Sequence, residues 1–509
     1  MNQHISYNGE TSQKKIAKQS FLTKLRLIIA LVVLMSPFGS NVLSQDIPFD
    51  YPYWVQLCES LYQTQEYDLA KDACSKAISF NPKDSMIWKT WGDILRKFKE
   101  YPQALIAYQK YLQLNPDSSF AYTKQCEILY YLTQYENAIA ACETALKKDN
   151  DWQNTSIQRA WYFRGEGFKG LNQIENAQIS YNWAVKLDSS YSPGFSGLCF
   201  VFLQKKQYQS ALDACQNARQ NDNWDELDDT QAREYEGTIY QQLQDYTNAL
   251  NAYNEALAKN PKNGVIWREK AKVLRFIGDY NKAITANEWA LQFMPEDRQT
   301  LIEQCSLFNL ITQAQPVSPP KEDEEEENGY TKALESCNKA LQIGKGSWGE
   351  LGAASAWNQR GNALIGLGKY EEAVVSFQQA IFLQSDYAEA WNNLSVAFWY
   401  LEDYKEALNA LENSLTLNPM DSQAWFNKGR ILTQQQQYEE AIIAFNQALD
   451  GDVKYQKPVA KATIWINQSA VFWQIQEYEA ALDTAQKALD VEPKNNALEK
   501  ALYNKSLAL

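Results

Sequence analysis

Apolar side chains recur along this chain at helical spacing in pairs of short stretches, each pair joined by a few polar residues. Such a pattern predicts a succession of two-helix hairpins. An alanine opening the second stretch sets the register, at Ala70, Ala104, Ala138, Ala177, Ala211, Ala249, Ala283, Ala333, Ala373, Ala407, Ala441 and Ala481. Six of the eleven intervals are 34 residues and the others run from 38 to 50. With that alanine numbered 20, position 17 is tyrosine in eleven of the twelve units, the exception being Ile174. Position 4 is Trp54, Trp88, Tyr122, Trp161, Phe195, Trp267, Trp357, Trp391, Trp425 and Trp465 in ten of them. Position 32 is proline at Pro82, Pro116, Pro261, Pro295, Pro419 and Pro493. Proline there ends the second stretch, because its ring cannot continue a helix.

Over residues 51 to 493 this arrangement resembles the tetratricopeptide repeat, whose W-x2-L-G-x2-Y, A-x3-F and P pattern has the same period. The resemblance implies an all-α fold, a right-handed α-solenoid superhelix of about twelve helix-turn-helix hairpins with a concave inner surface. A lone hairpin cannot cover its apolar face, so neighbours stack, and the position-4 aromatics are expected in the core. Repeats one to seven and the first helix of repeat eight then span 51–312. The stretch 313–329 (QAQPVSPPKEDEEEENG) interrupts the turn of repeat eight, and its proline and acidic run predict a solvated, disordered loop. Residues 330–493 hold the rest, and 495–509, with Ala497, Leu498, Ala501, Leu502 and Leu509, predict a capping helix.

Composition narrows the function. Of 48 basic and 62 acidic side chains, the first 44 residues hold five and one, leaving 43 against 61, a net charge of −18, beyond them. That balance argues against nucleic-acid binding. His4 is the only histidine, so imidazole-based hydrolytic triads and His-bearing zinc sites are excluded from the repeats. Lys14, Lys15, Lys18, Lys24 and Arg26 precede a nine-residue apolar run from Leu27 to Met35. This reads as a secretory signal over 1–44, cleaved after Ser44, or as an uncleaved anchor that would be the chain's only membrane contact. Either form places the repeats in the periplasm or outside the cell, and a bacterial source is expected.

The eight cysteines occupy only positions 8 and 24, in repeats one, three, five and eight. In an antiparallel hairpin whose turn centres near position 16, those positions face each other. Five other repeats fill the slot with glycine against a ring: Gly92 with Tyr108, Gly165 with Tyr181, Gly237 with Tyr253, Gly361 with Phe377 and Gly429 with Phe445. Export, an even count and this register predict four disulfides: Cys58–Cys74, Cys126–Cys142, Cys199–Cys215 and Cys305–Cys337. The alternative is a set of buried reduced thiols. Two thiolates per hairpin without histidine do not complete a zinc shell.

Three motifs mimic chemistry. Gly165-Glu166-Gly167-Phe168-Lys169-Gly170 fits a dinucleotide fingerprint but lies within a helix rather than after a strand. Gly366-Leu367-Gly368-Lys369-Tyr370 has Tyr370 where a phosphate loop needs Ser or Thr, and it reads as a turn. Asp222 to Asp229 lacks the spacing of a calcium loop. No catalytic, cofactor-binding or metal-ligating residue is expected.

The resemblance further implies an inner groove lined by positions 2, 5, 9, 12 and 13 of each first helix. On this chain these positions give basic clusters, Lys89, Arg96 and Lys97 in repeat two and Arg268, Lys272 and Arg275 in repeat seven. Such clusters suit an acidic or carboxylate-bearing segment. They also give an apolar stripe of Trp399, Tyr400, Phe426, Ile466 and Trp473. Chaperone-tail binders of the family use lysines, an arginine and two asparagines. Asn362 and Asn393 match the asparagines, whereas Asn358, Gln423 and Asn427 replace the basic members, so that clamp is incomplete. The expected function is a non-catalytic scaffold that binds a protein or peptide in the groove. The alternatives are a relative of repeat-bearing glycosyltransferases and a structural subunit of an envelope assembly.

Overall fold

The computed structural model describes residues 50–148, 151–153, 155–314, 328–343, 348, 352–451 and 461–491. The expected signal 1–44, most of the expected acidic loop 313–329 and the expected capping helix 495–509 lie outside the described residues. Twenty-four helices, from Tyr51–Gln63 to Tyr478–Val491, form the described chain, with no strand among the described residues. They pair in sequence into twelve antiparallel hairpins, and within each compact body the second helix of one hairpin packs on the first helix of the next. The chain is an all-α stack of helical repeats.

Two such bodies are present, Met1–Ser189 and Ser190–Leu509. The first holds four hairpins, beginning with Tyr51–Gln63 and Tyr67–Phe80 and ending with Ile157–Gly170 and Ile174–Leu187. The second holds eight, beginning with Ser192–Gln204 and Tyr208–Asn221. Repeat eight pairs Arg298–Ala314 with Gly329–Gln342 across the insertion.

The repeating residues each have a local task. The position-20 alanines are sealed from solvent, Ala70, Ala104, Ala249, Ala373 and Ala407 completely, and their small size lets the two helices of a hairpin approach closely. Several first helices are started by side-chain caps: Asp84 accepts from Met86 N at 2.9 Å, and Asp421 accepts from Gln423 N at 2.9 Å. These bonds satisfy amides that have no partner inside the helix.

The position-4 tryptophans were expected in the core, and the structure places them only partly there. Trp54, Trp88, Trp267, Trp391 and Trp425 are half-buried against core clusters. Their polar edge explains the difference, since an indole N–H needs an acceptor. Trp88, Trp267 and Trp425 donate to the carbonyls of Pro82, Pro261 and Pro419 at 2.8, 2.9 and 2.8 Å. The position-32 proline of one repeat is thereby tied to the position-4 tryptophan of the next.

Turns inside the hairpins share one conformation. Position 15 has a positive φ in eleven repeats, but only Gly278 and Gly368 are glycine. The other nine are Gln65, Lys99, Thr133, Asn172, Lys206, Gln244, Glu402, Gln436 and Gln476.

Candidate functional site: an amide-lined cleft in the second body

First helices of the second body line two adjoining clefts. One, of about 730 Å³, runs from Phe200 and Tyr235 to Arg268, Lys272 and Glu303. The other, of about 830 Å³, runs from Arg275 and Asn309 through Gln359, Asn362, Asn392, Asn393 and Gln423 to Arg430. The walls come from helices because helical side chains three and four residues apart share a face, so each first helix contributes a short column of residues.

The basic clusters read from the sequence are largely occupied. Arg268 donates from Nη1 to Asp297 at 2.9 Å and lies 3.2 Å from Glu269, to which Lys272 also donates at 3.0 Å. Arg275 donates from Nε to Glu303 at 2.6 Å. Burial alone would raise the Asp297 carboxyl, but hydrogen bonds from Thr300 and the Arg268 charge hold it below the usual range. Repeat seven therefore presents ion pairs rather than an open positive patch.

In the first body, Arg96 donates from Nη1 to Glu127 at 3.2 Å, and Lys89 lies 5.0 Å from the centre of the Phe120 ring. Lys97 is exposed. Glu127 is sealed in the core and also accepts from Arg159 Nε and Nη2 at 3.1 and 3.0 Å, with Lys124 at 3.7 Å. Burial would lift its carboxyl, yet the charges of Arg159, Lys124 and Arg96 hold it at about 2. A carboxylate buried among cations organises a core.

The expected apolar stripe is not continuous. Phe426 and Ile466 are buried, 7% and 8% exposed, Phe426 packing on Phe445 with centroids 5.9 Å apart. Their position 5 points between helices here. Tyr400 is exposed on one side and stacks on Tyr370 with its other, centroids 4.6 Å apart and planes within 2°. Tyr101–Tyr131 and Tyr246–Phe276 repeat this stack between position 17 and position 13 of the next repeat. Trp473 is half-buried in repeat twelve, and Trp399 is half-buried beneath Arg430.

What the larger cleft does present is a run of side-chain amides. Asn393 donates to Asn358 Oδ1 at 3.0 Å, Asn427 to Asn392 Oδ1 at 2.9 Å, Gln423 to Asn427 Oδ1 at 3.2 Å, and Asn309 to the Gln359 carbonyl at 3.0 Å. The Asn362 carboxamide lines the cleft with no side-chain hydrogen bond to another described residue. Glu389 accepts from Asn358 at 3.0 Å, and burial, with Asp421 nearby, lifts its carboxyl above the ordinary range. The sequence reading found Asn362 and Asn393 but treated Asn358 and Asn427 only as departures from a clamp. The signal was present, since Asn358-Gln359 and Asn392-Asn393 stand 34 residues apart with Asn427 at the next step. Arg430, at position 9 of repeat eleven, was also missed.

All four cysteine pairs stand face to face at disulfide distance. Their Cα–Cα separations are 4.9 Å for Cys58–Cys74, 5.3 Å for Cys126–Cys142, 5.2 Å for Cys199–Cys215 and 5.5 Å for Cys305–Cys337. None of the described helices is long and apolar enough to cross a membrane.

A family model described as Tetratricopeptide repeat matches residues 235–296 and 394–457, and one described as TPR repeat matches 361–402. No curated protein shows significant sequence similarity to the chain. Among solved structures it is similar to the APC/C hetero-tetramer Cut9-Hcn1, at 16% identity over 90% of this chain and 92% of that one, with a TM-score of 0.42. A tetratricopeptide repeat protein from Parabacteroides merdae is 17% identical over 55% of this chain and 98% of its own, with a TM-score of 0.43. Yeast Tom70 is 13% identical over 86% of this chain and 99% of its own, with a TM-score of 0.36.

Proposed function

We propose that this tetratricopeptide repeat protein, a scaffold for protein–protein interaction, holds an extended segment of a partner in the amide-lined cleft without catalysing a reaction. The partly exposed amides of Asn362, Asn393 and Gln423, braced by the buried Asn309, Asn392 and Asn427, carry this reading. An extended segment brings unsatisfied backbone N–H and C=O groups, and a carboxamide offers both an acceptor and two donors. A cleft of amides suits a backbone better than it suits one charged side chain. The partner is met on the exoplasmic side of a membrane: the basic and apolar N-terminal run supports export, as do four cysteine pairs within disulfide reach.

The test is capture of partners from an envelope fraction by the full chain and by an Asn362→Ala, Asn393→Ala, Gln423→Ala triple variant. The three side chains are not buried in the core, so the fold should persist, as circular dichroism would verify. Capture of the same proteins in the same amounts by both would end the cleft reading.

A second reading, permanent residence in a larger assembly, is favoured by apolar side chains in the open on second helices. Phe382 is 83% exposed, with Val375, Leu383 and Ile443 also exposed. Patches of this kind mark contact surfaces. Gel filtration separates the readings, because a free monomer contradicts permanent assembly.

A further inference from the structure

We propose that Arg430 and Trp399 form a receptor for a carboxylate carried by the bound segment, a refinement that rests on the cleft reading above. The guanidinium of Arg430 lies over the Trp399 ring, 4.3 Å from its centroid, with the Phe426 ring at 5.9 Å. Among the described residues no carboxylate lies within ion-pair distance of it, in contrast with Arg268 and Arg275, which occupy the neighbouring cleft with their counter-ions in place. Arg430 lines the amide cleft, with the cation covered on one side by aromatic rings. Burial pulls Arg430 below the ordinary arginine range, which agrees with a charge partly removed from water.

A second, independent observation points to the same place. The Trp399 indole nitrogen is buried and has no hydrogen-bond partner among the described residues. Buried N–H groups are almost always satisfied, and an orphan asks for an explanation. Trp399 and Arg430 border a void of about 10 Å³ together with Ser395, Val396, Asn427 and Ile431. That space holds about one oxygen-sized atom. Val396, Asn427 and Arg430 also line the amide cleft.

The donor set defines the ligand. Guanidinium offers five N–H groups and no acceptor, and indole offers one N–H and no acceptor, so the ligand atoms that meet them must be acceptors. A planar carboxylate meets the guanidinium fork with two parallel hydrogen bonds. Glu389, in the same cleft, and Asp421 beside it oppose a phosphate dianion more strongly than a singly charged carboxylate. The site differs from the clamp positions of chaperone-tail binders, which are held here by Asn358, Gln423 and Asn427. A C-terminal carboxylate and an acidic side chain share the required chemistry.

The experiment follows the Trp399 indole N–H resonance of the full-length protein, assigned by its disappearance in Trp399→Phe. Probes are N-acetylglycine for a chain terminus, N-acetylglutamic acid α-amide for a side chain, N-acetylglycinamide as the neutral control, and inorganic phosphate. Both carboxylates should shift the resonance and the neutral amide should not, the tighter of the two naming the source. Arg430→Gln should weaken carboxylate binding by about tenfold or more, while Arg430→Lys, which keeps the charge without the fork, should fall between. A silent resonance, an equal response to the neutral amide, tighter binding of phosphate, or an unchanged titration in Arg430→Gln would overturn the proposal. Partner capture that falls in the triple amide variant but is unaltered in Arg430→Gln would sink this receptor and leave the cleft reading standing.

Discussion

The ring of Phe377 fills the space that a β-carbon on Gly361 would require, with ring atoms less than 3.0 Å from that position. Tyr181, Tyr253 and Phe445 press on Gly165, Gly237 and Gly429 in the same way, and in four other repeats two cysteines occupy the equivalent slot. Gly361→Ala is expected to destabilise the protein by about 1–3 kcal/mol through overpacking. Phe377→Leu in the same chain should recover part of the loss. Thermal melts of both single variants and the double variant check the coupling, and purely additive losses would contradict a shared slot.

For the cysteines the expectation is a covalent bond in each pair of the protein isolated without reductant. The three bridges that close loops of 16 residues should each contribute roughly 3 kcal/mol, and Cys305–Cys337, which closes 32, slightly more. An unreduced digest should yield four linked peptides with the pairings given above, and reductant should lower the melting temperature. Free thiols at Cys58 and Cys74 would refute the first pairing.

Acid should act on the core of the first body through Glu127. Its carboxyl is held at about 2 in the folded chain against an ordinary 4.5, so its charge stabilises the fold fully above pH 4.5 and that contribution is lost as pH falls towards 2. The difference corresponds to about 3 kcal/mol. Glu127→Gln should cost about 3–5 kcal/mol near neutral pH, because it leaves Arg159, Arg96 and Lys124 without their anion. Amide exchange in Ser119–Tyr131 and Ile157–Gly170, followed from pH 7 downwards, should lose protection between 4.5 and 2 in the wild type and be flatter in the variant.

Two aromatics of the expected stripe should separate by what they damage. Phe426→Ala, a truncation in the core, is predicted to cost about 3–5 kcal/mol. Tyr400→Ala removes a stack with Tyr370 and an edge contact with Trp399, centroids 4.8 Å apart, each worth about 0.5–1.5 kcal/mol, and should lower partner capture less than Arg430→Gln does. Loss of capture in Tyr400→Ala without a change in melting temperature would return that ring to the binding surface.

The architecture was legible because its determinants repeat. A period, a small residue at position 20 and a facing pair at positions 8 and 24 are properties of one hairpin, and they recur through the chain. The cleft was harder to read because its chemistry depends on neighbouring repeats. Arg275 looks like a free cation until Glu303, 28 residues onward, is brought beside it. Phe426 and Trp399 both occupy positions that the family uses for its groove, yet one is enclosed by Phe445 and the other lies under Arg430. Nor does position 4 declare that half a tryptophan stays outside so that its nitrogen can reach a proline carbonyl.

The hairpin bends hold a different kind of information. Nine of them place a residue with a side chain where the backbone is left-handed, at a penalty on the order of 1 kcal/mol each. The tips at Lys206 and Gln244 are remote in sequence from the residues proposed for recognition, so glycine there offers an untapped margin of heat resistance. An engineer could raise the working temperature of the molecule there and leave what it grips unaltered.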